Sequence, residues 1–232
     1  TEHSDWAAAN PPDIVTRLID LSSSKTGPTD QGLADKTQLI WPESVFPFFM
    51  SQYPEGLARI ARMLPDGTTL LTGAPREPER DPDDPAGTNP GYNSLLAIDS
   101  NGEIVASYDK SHLVPFGEYL PFAGFWKLFG IQQFVPGTNG WASGDGKRLM
   151  APAGTPAFIA LICYEAIFSG DLGADPAKAE FILNISNDEW FDGSIGPAQH
   201  AHHALLRAVE TGLPLLRATN SGVTFAADPL GR

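Results

Sequence analysis

Apolar residues recur at helical spacing in three parts of the chain. Ile14, Leu18 and Leu21 fall on one face of a helix, and a similar three- and four-residue spacing recurs twice further along. Because this spacing matches the turn of an α-helix, it predicts amphipathic helices with one buried face. The predicted helices cover residues 13–23, 51–64 and 198–211.

Short apolar runs between these helices predict strands. Phe158–Ile162 and Phe181–Ile185 are almost entirely apolar, which is typical of strands covered on both faces. An Asn-Gly pair at 101–102 separates two further runs and predicts a β-hairpin. The predicted strands cover residues 37–41, 68–72, 92–99, 104–108, 155–162, 181–185, 214–218 and 223–227.

Strands outnumber helices, and the two kinds of element interleave, so we predict an α/β fold with sheets covered by helices. A length of 232 residues suits one domain, and a hydrophobic content of 42% is enough for a sizeable core. The chain has 23 glycines and 21 prolines, which predict many tight turns. Residues 76–91 are proline-rich and charged and are predicted to form a solvated loop.

Charge and cysteine content exclude several functions. A net charge of −13 at pH 7 argues against binding to nucleic acid and against docking on anionic lipid by charge alone. The single cysteine, Cys163, excludes an internal disulfide and a cysteine-based zinc cluster. No apolar stretch reaches the roughly 18 residues of a membrane span.

Three predicted strands end beside residues of useful chemistry: Glu43, Lys110 and Cys163. A thiol whose ordinary pKa is about 8.5 needs a base or a cation nearby to react at neutral pH. A lone cysteine is more often a structural residue, and a lone acid or lysine is more often solvated. The hypothesis of a catalytic site therefore depends on the three occurring together.

The histidines offer a second hypothesis. His200, His202 and His203 lie in one predicted helix, and His200 and His203 share a face at three-residue spacing. A metal site needs a further ligand, and none is obvious nearby. Packing or surface roles are the simpler interpretation, and no metal or cofactor is predicted.

Five motifs occur in order along nearly the whole chain. They are IWPES at 40–44, YDKSHLVPFGEYLP at 108–121, ICYE at 162–165, NISNDEWFDGSIGPAQH at 184–200 and LLRATNSG at 215–222. In these motifs the chain resembles the nitrilase superfamily of carbon–nitrogen hydrolases, and within it the nitrilase-like domain of bacterial apolipoprotein N-acyltransferases. The resemblance implies an α-β-β-α sandwich.

The resemblance also implies roles for the three strand-end residues. Glu43 would be the general base, Lys110 the electrostatic stabiliser and Cys163 the nucleophile. The reaction would transfer an acyl chain in two steps through a thioester on Cys163, with a phospholipid as donor and a diacylglyceryl-modified apolipoprotein as acceptor.

Four further residues receive supporting roles from the resemblance. Glu118 would orient the lysine or assist proton transfer, and Tyr164 and Glu165 would shape the cleft around the nucleophile. Trp6 falls where the family carries a tryptophan shortly after its first strand.

A cluster of aromatic residues indicates contact with lipid. Residues 119–135 read YLPFAGFWKLFGIQQFV, and aromatics with one snorkelling lysine suit a lipid–water interface. The predicted lipid-facing residues are Phe122, Phe125, Trp126 and Phe129. The simpler interpretation is a hydrophobic loop packed on the domain.

The family context predicts that residues 1–232 are one catalytic domain and a fragment of a larger membrane protein, truncated at both ends. Family members carry a membrane domain and additional strands that this chain lacks. We expect a monomer at the bacterial inner membrane, with its catalytic domain on the periplasmic side.

Two alternatives remain open. A soluble amidase or nitrilase-type hydrolase of small molecules would use the same three residues but has little reason to expose the aromatic segment. A module that only binds lipid or lipoprotein would not need Glu43, Lys110 and Cys163 together.

Overall fold

The computed structural model describes residues 10–79, 89–121, 140–173 and 175–232. Proline stands in the first turn of each α-helix in these ranges, where its missing N–H breaks no helical hydrogen bond. The helices are α1 (Pro11–Ser23), α2 (Pro54–Met63) and α3 (Gly196–Thr211). The third ends at Gly212, whose φ of 69° is the left-handed conformation that favours glycine.

The strands form two sheets. The first sheet has the order β1 (Gln38–Trp41), β2 (Thr69–Arg76), β3 (Tyr92–Ile98) and β4 (Ile104–Asp109). The second has the order β5 (Leu149–Met150), β6 (Phe158–Ile162), β7 (Phe181–Asn187), β8 (Leu215–Asn220) and β9 (Phe225–Ala227). In the first sheet β1 and β2 are parallel, and two successive antiparallel pairings give β4 the direction of β2. In the second, β6, β7 and β8 are parallel.

Alternate residues of each strand face different layers. Leu70 packs under α1 and α2, whereas Leu71 packs between the two sheets. Likewise Ala160 lies between the sheets, and Ile159 packs in the cluster that contains α3. The layers are therefore helix, sheet, sheet and helix, which confirms the predicted α-β-β-α sandwich.

Most predicted elements are present with boundaries shifted by a few residues. The predicted helix over 51–64 is divided, because Pro54 restrains the preceding Tyr53 to a non-helical backbone; a single 3₁₀ turn (Met50–Gln52) precedes α2. Strand β2 continues through Pro75 to Arg76, beyond the end of its pairing with β1 at Thr72. There the proline has a strand neighbour on one side only, which makes it tolerable.

In the described ranges, no helix has both the length and the apolar content required to cross a membrane.

Candidate active site

The strand directions bring the three predicted catalytic residues to one edge of the sandwich. Glu43 follows β1 and Lys110 follows β4, so both lie at the same edge of the first sheet. Cys163 follows β6 in the second sheet, and a hydrogen bond joins Glu43 to Asn187 at the end of the neighbouring β7. The two sheet edges therefore meet at this point.

Glu43 is held by donors from both sheets. The side-chain amide of Asn93 donates to Oε1 at 2.7 Å, and the backbone N–H of Asn187 donates to Oε2 at 2.7 Å. Asn220 donates from its side chain to the Glu43 carbonyl oxygen at 2.8 Å. A Cβ at Gly73 would lie 2.5 Å from the Glu43 Cα, so glycine is needed for β2 to approach this turn. Glu43 is consequently both buried and fixed in orientation.

Lys110 lies between two carboxylates. Its Nζ is 3.7 Å from Oε1 of Glu43 and 2.8 Å from Oε2 of Glu118. The backbone N–H of Val114 donates to Glu118, and Asn93 bridges Glu118 to Glu43. Only 1% of the Lys110 side chain is exposed. One ammonium thus compensates the buried Glu43 and the partly buried Glu118, as a buried charge requires.

Cys163 occupies a strained turn at the end of β6. Its φ is 50°, a left-handed conformation that costs a non-glycine residue roughly 1–2 kcal/mol. A 3₁₀ helix over Cys163–Ile167 begins at this residue. The sharp change from strand to helix presents the predicted nucleophile at the end of a rigid element.

The electrostatics of the site favour a neutral thiol at rest. Burial, followed by the nearby charge of Glu43, raises the pKa of Cys163 to about 12, although Lys110 opposes the shift. Burial also raises the pKa of Glu43, which Lys110 partly opposes. For Lys110, burial lowers the pKa, but the charges of Glu43, Cys163 and Glu118 outweigh it, so its pKa is raised and the ammonium stays charged.

Glu165, two residues after Cys163, is completely buried. Its Oε2 accepts the backbone N–H of Ile162 at 2.8 Å, and its Oε1 accepts the backbone N–H groups of Ser111 and His112 at 2.9 and 3.1 Å. The Tyr108 hydroxyl donates to the same oxygen at 2.8 Å. Glu165 therefore joins the turn at Cys163 to the segment after Lys110, and it influences the cleft through the backbone.

Tyr164 belongs to a small aromatic group beside the nucleophile. Its ring meets Phe168 edge-on at 5.0 Å, and Phe168 stacks on His112 at 4.6 Å. The sequence prediction that Tyr164 shapes the cleft stays a prediction. Trp6 and the four lipid-facing aromatics Phe122, Phe125, Trp126 and Phe129 lie outside the described residues.

The two histidines at three-residue spacing differ in burial. His200 is buried, whereas His203, about 60° away around the helix, is exposed. Within the described ranges no group of three or more His, Cys, Asp or Glu residues could hold a metal ion.

Sequence reasoning missed the residues that hold the site. Asn93, Asn187 and Asn220 orient Glu43, and His200 accompanies the nucleophile through a hydrogen bond to the Cys163 carbonyl oxygen. The sequence offered a signal for three of these four residues: Asn187, Asn220 and His200 lie inside the motifs that carry the family resemblance, whereas Asn93 does not.

The family model for carbon-nitrogen hydrolase matches residues 39–232. The chain belongs to the carbon-nitrogen hydrolase family. The match confirms the resemblance recognised from the five motifs.

This member of the carbon-nitrogen hydrolase family is similar to two curated proteins named apolipoprotein N-acyltransferase. The protein of Rhodopseudomonas palustris is 44% identical over 220 residues, and that of Brucella melitensis is 40% identical over 227 residues. The alignments cover 95% and 98% of this chain. They cover 41% and 42% of those proteins, so the chain spans about two fifths of the length of the curated relatives it matches.

Solved structures show the same fold at low identity. An amidase from Nesterenkonia sp. has a TM-score of 0.62 at 18% identity, with 96% of this chain and 79% of that chain covered. A glutamine-dependent NAD+ synthetase from Acinetobacter baumannii has a TM-score of 0.60 at 14% identity, with 96% and 40% covered. These similarities agree with the sandwich deduced from the layers.

Proposed function

We propose that this chain is the catalytic part of an acyltransferase that moves a fatty acyl chain from a phospholipid to the N-terminal amine of a diacylglyceryl-cysteine lipoprotein. The observation that carries the proposal is the meeting of Glu43, Lys110 and Cys163 at one edge of the sandwich. The chain is 40–44% identical to proteins named apolipoprotein N-acyltransferase, which supports acyl transfer to an apolipoprotein amine.

In the first step the carboxylate of Glu43 takes the thiol proton as Sγ of Cys163 attacks the ester carbonyl carbon. The oxyanion forms beside the Lys110 ammonium and the backbone N–H of Tyr164. Collapse of the tetrahedral intermediate breaks the ester bond, and the leaving alcohol oxygen takes the proton from Glu43. The lysophospholipid departs, and the acyl chain remains on Cys163 as a thioester.

In the second step the amine of the acceptor attacks the thioester carbonyl and gives a proton to Glu43. The carbon–sulfur bond breaks, the amide is released, and the thiol regains a proton. A neutral resting thiol suits this cycle, because the base removes the proton only when the substrate is in place. Two half-reactions through one intermediate predict ping-pong kinetics.

The proposed location is the bacterial inner membrane, with the catalytic domain on the periplasmic side and no partner subunit required. Phe116 and Tyr119 support contact with lipid. They are 51% and 41% exposed and lie on the segment that leads from Lys110 to the aromatic cluster. Partly exposed aromatic rings suit the interface between lipid and water.

Intact-mass measurement tests the proposed reaction. After incubation in phospholipid–detergent micelles, the protein should gain the mass of one acyl chain, and hydroxylamine should remove it. Addition of a diacylglyceryl-cysteine peptide should transfer the acyl chain to the peptide amine. A folded protein that hydrolyses small amides but never carries an acyl chain would instead favour the amidase alternative.

The pH profile tests the role of Glu43. Because the pKa of Glu43 is raised above 4.5, acyl transfer should be lost on acidification at a pH above 4.5, as the base becomes protonated. The charge of Glu118 contributes to this increase, so in Glu118→Gln the midpoint of the residual activity should move to lower pH. An acid limb that does not move in Glu118→Gln and that persists in Glu43→Gln would assign it to another group.

A further inference from the structure

His200 reaches the backbone of the nucleophile from the opposite side of the second sheet. It lies in the first half of α3 and is buried, with 6% of its side chain exposed. Its Nε2 lies 3.0 Å from the carbonyl oxygen of Cys163, and its Nδ1 lies 2.8 Å from Oδ1 of Asp188. Neither contact is part of the Glu43–Lys110–Cys163 chemistry.

Three polar groups lie within hydrogen-bond distance of the His200 ring: the Cys163 carbonyl oxygen, the Asp188 carboxylate and Arg217, whose Nη2 is 3.3 Å from Nδ1. A backbone carbonyl oxygen cannot donate, and the pKa of Asp188 is lowered despite its burial, because His200 and Arg217 favour the carboxylate. The contact between Nε2 and the Cys163 carbonyl is a hydrogen bond only when Nε2 carries a hydrogen and donates it. On the other side of the ring, Nδ1 lies against Asp188 and Arg217, which fix the orientation of the ring.

Asp188 is in turn held by buried groups. Arg217 donates to Oδ2 at 2.8 Å, and Ser186 donates to Oδ1 at 2.8 Å. The side chains of Arg217 and Asp188 are both 0% exposed. Gly222 is required here, because a Cβ at that position would collide with Oδ2 of Asp188. Arg217, Asp188 and His200 thus form a buried polar network. His200 connects this network to the Cys163 carbonyl oxygen.

Such a network is costly to bury. Apolar replacements of buried ion pairs are often neutral or stabilising, so stability alone gives little reason for this arrangement. A left-handed, non-glycine residue such as Cys163 persists only when its surroundings fix it. His200, which contacts the carbonyl oxygen of Cys163, is one group placed to fix this conformation.

We propose that His200 is a positioning residue for the nucleophile. By donating from Nε2 to the Cys163 carbonyl oxygen, it holds the left-handed turn that directs Sγ toward Glu43 and Lys110. Asp188 and Arg217 hold the ring in place. The proposal deepens the acyltransferase function and rests on it for the nature of the substrate, but the geometry of the thiol does not depend on which acyl donor is used.

Two variants separate this role from a purely structural one. In His200→Gln, the side-chain amide can reach the Cys163 carbonyl but leaves the Nδ1 position empty. In His200→Asn, the shorter amide can replace the Nδ1 contact to Asp188 but cannot reach the carbonyl. If the ring served only as a hydrogen-bond partner for Asp188, asparagine would be the better replacement.

The first readout is alkylation of Cys163 by iodoacetamide, followed by intact mass, which requires no lipid. We expect His200→Asn to slow alkylation about 10- to 100-fold, as small misplacements of a reacting group do, and His200→Gln to remain within about threefold of wild type. In acyl transfer, kcat should follow the same order with KM for phospholipid unchanged. Melting temperatures identify any variant that fails to fold.

Equal alkylation rates in folded wild-type, Gln and Asn proteins would overturn the proposal, and so would a faster Asn than Gln variant. These outcomes are independent of the proposed function. If wild-type protein forms no acyl thioester but the two variants still differ in alkylation as expected, the acyltransferase function fails while the role of His200 stands.

Discussion

Replacement of Cys163 by alanine should remove the acylated protein species completely and reduce acyl transfer by roughly 10⁴- to 10⁶-fold, the scale on which loss of a nucleophile acts. In the proposed mechanism the sulfur forms the bond to the acyl carbon, and alanine has no group that can replace it. Intact mass after incubation with phospholipid measures the first effect, and the rate of amide formation on a diacylglyceryl-cysteine peptide measures the second. Acylation of Cys163→Ala to the wild-type extent would exclude this thiol as the nucleophile.

A matched variant, Cys163→Gly, tests the strain at the same position. Glycine adopts a φ of 50° without steric cost, whereas alanine bears the same penalty as cysteine. Cys163→Gly should therefore unfold with a free energy about 1 kcal/mol higher than Cys163→Ala, and both should be inactive. Equal stabilities would mean that the left-handed turn stores no strain.

Lys110→Met should lose activity and stability together. In the proposed mechanism the ammonium stabilises the developing oxyanion, and loss of one such group typically costs 10²- to 10³-fold in rate. The same substitution leaves the buried Glu43 and the partly buried Glu118 without their shared cation, and loss of one partner of a buried ion pair typically costs about 3–5 kcal/mol. Single-turnover acylation and denaturant unfolding measure the two effects. Full acylation of Lys110→Met would remove the lysine from the mechanism.

The pH dependence and a double variant separate the two effects of Lys110. Without the ammonium, the pKa of Glu43 rises further, so the loss of stability should be greatest at neutral pH and diminish as the pH falls and Glu43 becomes protonated. Lys110→Met combined with Glu118→Gln removes one of the opposing carboxylates and should recover stability without recovering activity. Recovery of both would show that Lys110 acts only by maintaining the fold.

The sequence predicted the fold class well where local pattern and tertiary environment agree. The apolar run Phe158–Ile162 and the hairpin at Asn101–Gly102 lie where they were expected. The two-residue β5 was not predicted, because it pairs only with β6 and has no pattern of its own. The burial of His200 but not of His203 depends on how α3 packs against the second sheet, which helical spacing alone does not fix.

By itself, the sequence determined which chemistry-bearing residues follow the strands, the four-layer arrangement and the family. Only the tertiary structure decided which of these residues meet. Glu43 and Asn187 are separated by 144 positions and share a hydrogen bond because β1 of the first sheet and β7 of the second end at the same edge of the sandwich. The asparagines around Glu43 and the buried polar network behind Cys163 were not predicted, since a polar side chain acquires its role from partners that are distant in sequence and adjacent only after the sheets pack.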